Sequence, residues 1–366
     1  MSARLPLVDL LKALASQAIV LHHLAFYGPM SDAVRPHATA LVDGLADWGR
    51  LAVQVFLVIG GFLAARALAP QGRAALEHPV GRVIERWQRL VGPYLVALGL
   101  ALLTAAIGRM LTDHETVPDA PSLLQLLANA ALLQDWLGIE ALSAGVWYVA
   151  IDLQLYALLV GLLWVGHRSG RPALGVAGVV LLGALSLWSI NRIPGWDAFG
   201  PYFFGSYALG VLAAWAQQGK RWGRAALITL LVLGGVALWL DPRSRIALAL
   251  ATAVLLATRS PGKNLAGLGE HPAIGFLGRI SYSVFLVHYP ICVLFEAAAA
   301  RWAPDSAPWA AAGLVLAWLS SLIAGTAFHR WVEAPLGRVR RAKPSAAVRR
   351  PSAPPARLAS GAIRGH

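Results

Sequence analysis

Long apolar runs, each ended by a short polar or basic interruption, dominate this chain. A helix needs roughly 17–25 mostly apolar residues to cross a bilayer. Stretches that meet or nearly meet this length run over about 7–27, 48–68, 88–111, 145–165, 173–190, 199–217, 223–240, 244–258, 274–299 and 308–332. The eighth is the shortest. A further stretch, 121–134 (PSLLQLLANAALLQ), is amphipathic and too short to span, so it reads as a helix lying in the interface. The pattern predicts an all-α polytopic membrane protein of about ten transmembrane helices. It shows no internal repeat of the kind that marks inverted-repeat transporters.

Composition narrows the class. Of 366 residues, 57% are apolar and 13% charged, against roughly 25% charged in soluble domains. The 14 tryptophans suit side chains that anchor at membrane interfaces. The formal charge of +13 does not form a basic patch interleaved with aromatics, so nucleic acid is not an expected partner, while membrane lipid is. One cysteine, Cys292, sits in an apolar run, which excludes an intrachain disulfide and a cysteine-ligated metal site. No metal-ligand spacing appears. The first apolar stretch carries charges and no small-x-small cleavage site, so it reads as a retained helix.

Basic residues set an orientation, because Lys and Arg accumulate in cytoplasmic loops. With the N-terminus inside, inner segments carry Arg66, Arg73, Arg82, Arg86 and Arg89, then Arg168 and Arg171, Arg221 and Arg224, and Arg259. Outer segments hold most of the acids, among them Asp43, Asp47, Asp113 and Glu115, but also Arg50, Arg243 and Arg245. Both termini are then cytoplasmic. Residues 1–337 form the membrane domain. Residues 338–366, rich in Arg, Ala, Pro and Ser, read as a basic disordered cytoplasmic tail.

The first helix, LVDLLKALASQAIVLHHLAFYG, is the most informative segment. Charged groups at membrane depth are costly unless paired or hydrated, so they point to function. At 100° per residue Lys12 and His23 lie about 20° from one line, with Asp9, Ser16 and Tyr27 near it, whereas His22 points away. Lys12 and His23 are about 16 Å apart along the axis. A basic group in the inner half and an imidazole near the outer end suit a reaction that joins two compartments. The plain alternative is that Lys12 snorkels inward and His23 sits at the outer interface.

Lys12-x10-His23 resembles the first-helix motif of acyltransferase family 3, the integral-membrane O-acyltransferases, in which Arg stands at the Lys position. Lysine keeps that charge and loses the planar fork. Further segments resemble the family in the same order: AVQVFLVIGGFLAAR, where Gly60-Gly61-Phe62 stands for the usual Ser-Gly-Phe; Arg86-x-x-Arg89 before Pro93; GVWYVAIDLQLY, with Asp152 where Glu is usual; GRISYSVFLVHYP; and FHRWVEAPLGR.

The resemblance implies a multi-pass protein of a bacterial-type inner membrane. It implies transfer of an acyl group, often acetyl, from cytoplasmic acyl-coenzyme A to a hydroxyl of an extracytoplasmic glycan or lipid, with acetyl-CoA a donor substrate and no permanently bound cofactor. His23 becomes the candidate catalytic base, or a nucleophile that first accepts the acyl group. Asp152 is a candidate to orient its imidazole, or a structural carboxylate. Arg86 and Arg89 share a helix face and are candidates for the phosphates of coenzyme A, or ordinary positive-inside anchors. Lys12 is a candidate for catalysis and for donor contact. Ser281, Tyr282 and His288, with Tyr27, are candidates to line the substrate channel, or hydrogen bonds between helices. Glu333 is expected to pair with Arg330 or Arg338. A transporter or flippase of a lipid-linked sugar also uses buried charge, and stays the competing reading at this point.

Overall fold

A computed structural model describes residues 5–258, 263–302 and 306–342. Arg259 and residues 343–366 of the segment read as a tail lie outside the described residues. No strand occurs among the described residues. Eight helices or continuous helical segments are long and apolar enough to cross a membrane: Pro6–Phe26, Thr39–Leu68, Pro79–Leu111, Val146–Arg168, Pro172–Arg192, Arg221–Leu240, Pro272–Trp302 and Ala307–Arg338. Two of the stretches read as spans from sequence form shorter helices, Gly200–Ala216 with 17 residues and Ser244–Ala257 with 14.

The elements that matter for the site are α1 (Pro6–Phe26), α2 (Pro29–Val34), α3 (Thr39–Trp48), α4 (Val53–Leu68), α5 (Pro79–Leu111), α6 (Leu123–Ala130) and α7 (Val146–Arg168). After these come α8 (Pro172–Trp188), α9 (Gly200–Ala216), α10 (Lys220–Leu240), α11 (Ser244–Ala257), α12 (Lys263–Glu270), α13 (Pro272–Trp302), α14 (Ala307–Phe328) and α15 (Ala334–Ala342). The stretch 121–134 holds only the eight residues of α6, capped by Ser122 accepting from the Gln125 amide. Residues 338–342 of the segment read as a tail are the end of α15.

The third apolar stretch begins nine residues earlier than hydropathy places it. Pro79, which needs no amide partner at a first helical turn, starts α5. Hydropathy reports only the part of a helix that is apolar, and the basic turns with Arg82, Arg86 and Arg89 continue the same helix.

Two groups of mutually parallel helices frame the molecule. In the first, α1, α5 and α13 run the same way: Asp9 lies against Gly278 and His23 against His288, while Tyr282 reaches Leu90 and Ala297 approaches Gly108. In the second, α4, α9 and α11 run together, with Gln54 bonded to Ser206, Arg66 to Gln217, and Arg245 to Tyr202. The α4–α9 crossing is the tightest. A Cβ on Gly61 would collide with the Tyr207 carbonyl, and one on Gly210 with the Val58 carbonyl. In lipid, where burial of apolar surface gives helices no net attraction, such close backbone approach supplies the packing. Accordingly α9 is almost wholly buried. We call the end of the molecule where α1 begins the proximal face and the opposite end the distal face.

Candidate active site

His23 stands one turn before the end of α1, on the distal side. Its Nδ1 lies 2.9 Å from the Ile19 carbonyl oxygen and 3.3 Å from Nε2 of His288 on α13. The tautomers follow from the partners. His288 Nδ1 faces the carbonyls of Val284 and Phe285 at 3.1 and 2.8 Å. Carbonyls only accept, so this nitrogen carries the proton, and Nε2 of a neutral His288 is an acceptor. His23 Nδ1 therefore faces two acceptors and carries its own proton. The lone pair of a neutral His23 is left on Nε2, which has no hydrogen-bond partner among the described residues.

His23 lines a cavity of about 820 Å³ on the distal side, within the size range of drug-sized ligand sites. Its walls come from the ends of α1, α3 and α4, from the first turns of α7, α9 and α11, and from Phe285 of α13. Tyr27 stacks on His23 with ring centroids 5.7 Å apart and also lines the cavity. His22, read as a neighbour, lies edge-on to His23 at 4.9 Å and touches the same space.

The structure gives Asp152 a different partner from the one expected of it. Its carboxylate accepts from Arg86 Nε at 3.0 Å and from one terminal nitrogen at 2.7 and 2.8 Å. It makes no hydrogen bond to His23, whose imidazole is held instead by Ile19 and His288. Arg86 is correspondingly drawn off the proximal end into the middle of the bundle. It sits over the Tyr156 ring at 5.4 Å, beside a carboxylate that packs against Gly60 of α4. Two of its three guanidinium nitrogens are bound to this carboxylate. The sequence pattern could not distinguish these, because an Arg at the end of an apolar stretch looks the same whether it points outward or inward.

Arg89 is exposed one turn further along α5. Lys12 lies within electrostatic reach of Asp9, Arg89, Glu333 and Arg86. Lys12 and Arg89 thus share the proximal half, and His23 lies at the distal end of the same α1. The interior beside α1 is polar: it holds the Arg86–Asp152 pair, Tyr148 against Phe285, and Gln54 bonded to Ser206 at 2.6 Å. Gln54 and Phe285 reach the cavity that His23 lines.

The candidates on α13 divide. His288 joins His23. Ser281 donates to the Gly278 carbonyl at 3.0 Å and Tyr282 to the Leu90 carbonyl at 3.2 Å, and neither lines the cavity. Ser281 thus bonds within α13, and Tyr282 ties α13 to α5. Glu333 accepts from Ser283 at 2.5 Å and contacts His329 at 3.1 Å, rather than pairing with Arg330 or Arg338. It sits in a π-helical turn, His329–Glu333, that joins α14 to α15.

A family model described as an acyltransferase domain, acyltransferase family 3, matches residues 6–327, nearly the whole chain and every helix that carries the site. The chain belongs to acyltransferase family 3. The family is one of acyltransferases, and eight helical segments of this chain are long and apolar enough to cross a membrane. It is also similar to the Regulator of hypoxia-inducible factor 1 of Caenorhabditis elegans, 21% identical over 198 residues, covering 50% of this chain and 39% of that protein. The chain thus spans well under half the length of that relative. No solved structure matches it. The family motifs of the first helix and of GRISYSVFLVHYP hold the two histidines that meet.

All three arginines that line the cavity, Arg50, Arg243 and Arg245, lie outside the motifs. The available signal was their position, since arginines on the outer side run against the inward bias of basic residues.

Proposed function

We propose that this membrane acyltransferase moves an acyl group, acetyl in the simplest case, from cytoplasmic acyl-coenzyme A to a hydroxyl of an extracytoplasmic glycan or lipid. The proximal face is then cytoplasmic and the membrane a bacterial-type inner membrane, with about ten crossings and both termini inside. The observation that carries this reading is the setting of His23: an imidazole lining a distal cavity, with Nδ1 held by Ile19 and His288 and Nε2 without a protein partner.

In this reading the acceptor enters the distal cavity and presents its hydroxyl to Nε2. The acceptor oxygen attacks the thioester carbonyl as Nε2 takes the hydroxyl proton. The carbon–sulfur bond breaks, and the coenzyme A sulfur leaves with the proton returned from the imidazolium. Holding Nδ1–H against fixed acceptors keeps the lone pair aimed and steadies the ring while it is cationic, the role that orienting partners of a catalytic histidine supply. Arg89 and Lys12 suit the coenzyme A phosphates at the proximal end, with the thioester arm following the polar interior towards His23. Arg86 acts there through Asp152, as a positioning residue.

The test uses protein in lipid nanodiscs. Wild type should bind acetyl-CoA and turn it over, and His23→Ala should bind it equally while losing at least about a hundredfold in turnover. A wild-type protein that neither binds nor consumes any acyl-coenzyme A sinks the donor assignment and returns the transporter reading to first place.

A further inference from the structure

The distal cavity holds a charge pattern that acyl transfer to a neutral sugar does not need. Three guanidinium groups line it, Arg50, Arg243 and Arg245, against one lining carboxylate, Asp47. Arg50 is exposed and has no hydrogen bond or ion pair among the described residues. Arg245 donates to the Tyr202 hydroxyl at 2.6 Å and to the Asn191 carbonyl at 2.5 Å, and lies over the Tyr202 ring at 5.1 Å. Every one of those partners is neutral, so its charge is oriented but not cancelled. Arg243 is fixed by Asp241 at 3.2 Å, by the Leu187 carbonyl at 2.9 Å and by Asn191. Asp241 is shared with Arg192 at 3.5 Å, so one carboxylate serves two cations there. Burial first, and then the neighbouring Arg245, push the Arg243 guanidinium down from its ordinary value. The two cations on this loop and the first turn of α11 therefore sit within each other's field.

Three cations around one cavity favour an anion inside it. Guanidinium groups match carboxylate and phosphate oxygens by paired hydrogen bonds, and three of them line this one cavity. The same walls supply apolar surface from Trp147 and Phe203, whose rings lie 5.7 Å apart, and from Trp48. A cavity that joins aromatic faces, fixed cations and a candidate base fits a ligand with a flat apolar face, a negative group and a hydroxyl.

We propose that the acceptor is anionic: a glycan or glycolipid whose sugar carries a carboxylate or a phosphate, held by Arg50 and Arg245 beside the fixed charge of Arg243 so that a hydroxyl meets His23. This deepens the acyltransferase reading and rests on it for the identity of the acceptor, but the anion preference itself requires no acyl chemistry. The donor also carries phosphates. Lys12 and Arg89 lie towards the opposite face, so the distal arginines serve the acceptor and not the donor.

The experiment is calorimetric binding to the full chain in nanodiscs of neutral lipid, without donor. The probes are octyl β-D-glucoside, octyl β-D-glucuronide and octyl β-D-glucoside 6-phosphate. The two anionic probes should bind at least about tenfold more tightly than the neutral one. Arg50→Gln, at an exposed site with no contact to lose, and Arg245→Gln should each remove most of that preference. Arg245→Lys should restore part of it, keeping the charge without the fork. Acetyl-CoA, titrated separately, should bind all these forms with one affinity. The proposal is overturned by equal affinities for the three probes, by no binding of either anionic probe, or by a preference that survives Arg50→Gln and Arg245→Gln. A fall in acetyl-CoA affinity in those variants overturns it too, assigning the arginines to the donor. Failure of the acyltransferase reading shows separately, as wild type without any acyl-coenzyme A turnover.

Discussion

Arg86 reaches from α5 to Asp152 on α7 and grips its carboxylate through two nitrogens at 2.7–3.0 Å. The Asp152 side chain is 7% exposed and that of Arg86 26%, so the carboxylate is the charge with little water to replace its partner. Removing one partner of a buried pair leaves the other uncompensated, which costs about 3–5 kcal/mol, whereas removing both costs far less. Asp152→Asn and Arg86→Met should each sharply lower the melting temperature in detergent, and Arg86→Met/Asp152→Asn should recover much of the loss. Additive losses in this double-mutant cycle would mean that the pair is not coupled.

His288 acts through His23. Its acceptor nitrogen helps hold the His23 proton on Nδ1. His288→Ala should therefore lower kcat by on the order of tenfold or more with the KM values for donor and acceptor little changed. His288→Gln, whose amide oxygen can accept the same hydrogen bond, should recover part of that loss. A rise in KM with kcat intact would instead place His288 in substrate binding.

Lys12 stands where the family motif has arginine, in the proximal half with Arg89. Lys12→Gln should raise the KM for acetyl-CoA by roughly tenfold, the scale of one lost charge-assisted contact of about 1.4 kcal/mol. Lys12→Arg should bind donor at least as well as wild type, since the guanidinium adds the paired geometry that phosphate accepts. If Lys12→Gln leaves donor affinity unchanged, Lys12 is a packing residue of α1.

Gly61 and Gly210 allow α4 and α9 to touch backbone to backbone. Gly61→Ala or Gly210→Ala would drive a methyl group into a carbonyl of the facing helix, where no side chain can move aside. Overpacking of this kind costs about 1–3 kcal/mol or more. Each change should depress thermal stability markedly, while Gly235→Ala on α10, where a Cβ meets nothing, should not. Equal melting temperatures for Gly61→Ala and wild type would show that the crossing can open without penalty.

The sequence by itself determined the helical class, the rough position of all ten apolar stretches and the polar stripe of α1. These are local properties: hydropathy over one helix length, a 100° repeat, and the motifs that matched the family. The shared face of Lys12 and His23 could be read because both residues lie on one helix. What faces that helix could not be read, because partners on α13, α7 and α11 are separated from it by many residues and no periodicity records which helices touch. Tertiary structure alone therefore took Asp152 away from His23 and gave it to Arg86. It brought His288 to the imidazole while turning Ser281 and Tyr282 to backbone carbonyls. It also gathered Arg50, Arg243 and Arg245, scattered through separate distal segments, around one cavity. The physical reason is common to all three: a buried charge or hydrogen-bonding group takes whichever partner the helix packing brings within about 3 Å, and that packing is set by small-residue crossings such as Gly61 against Tyr207 and Gly278 against Asp9.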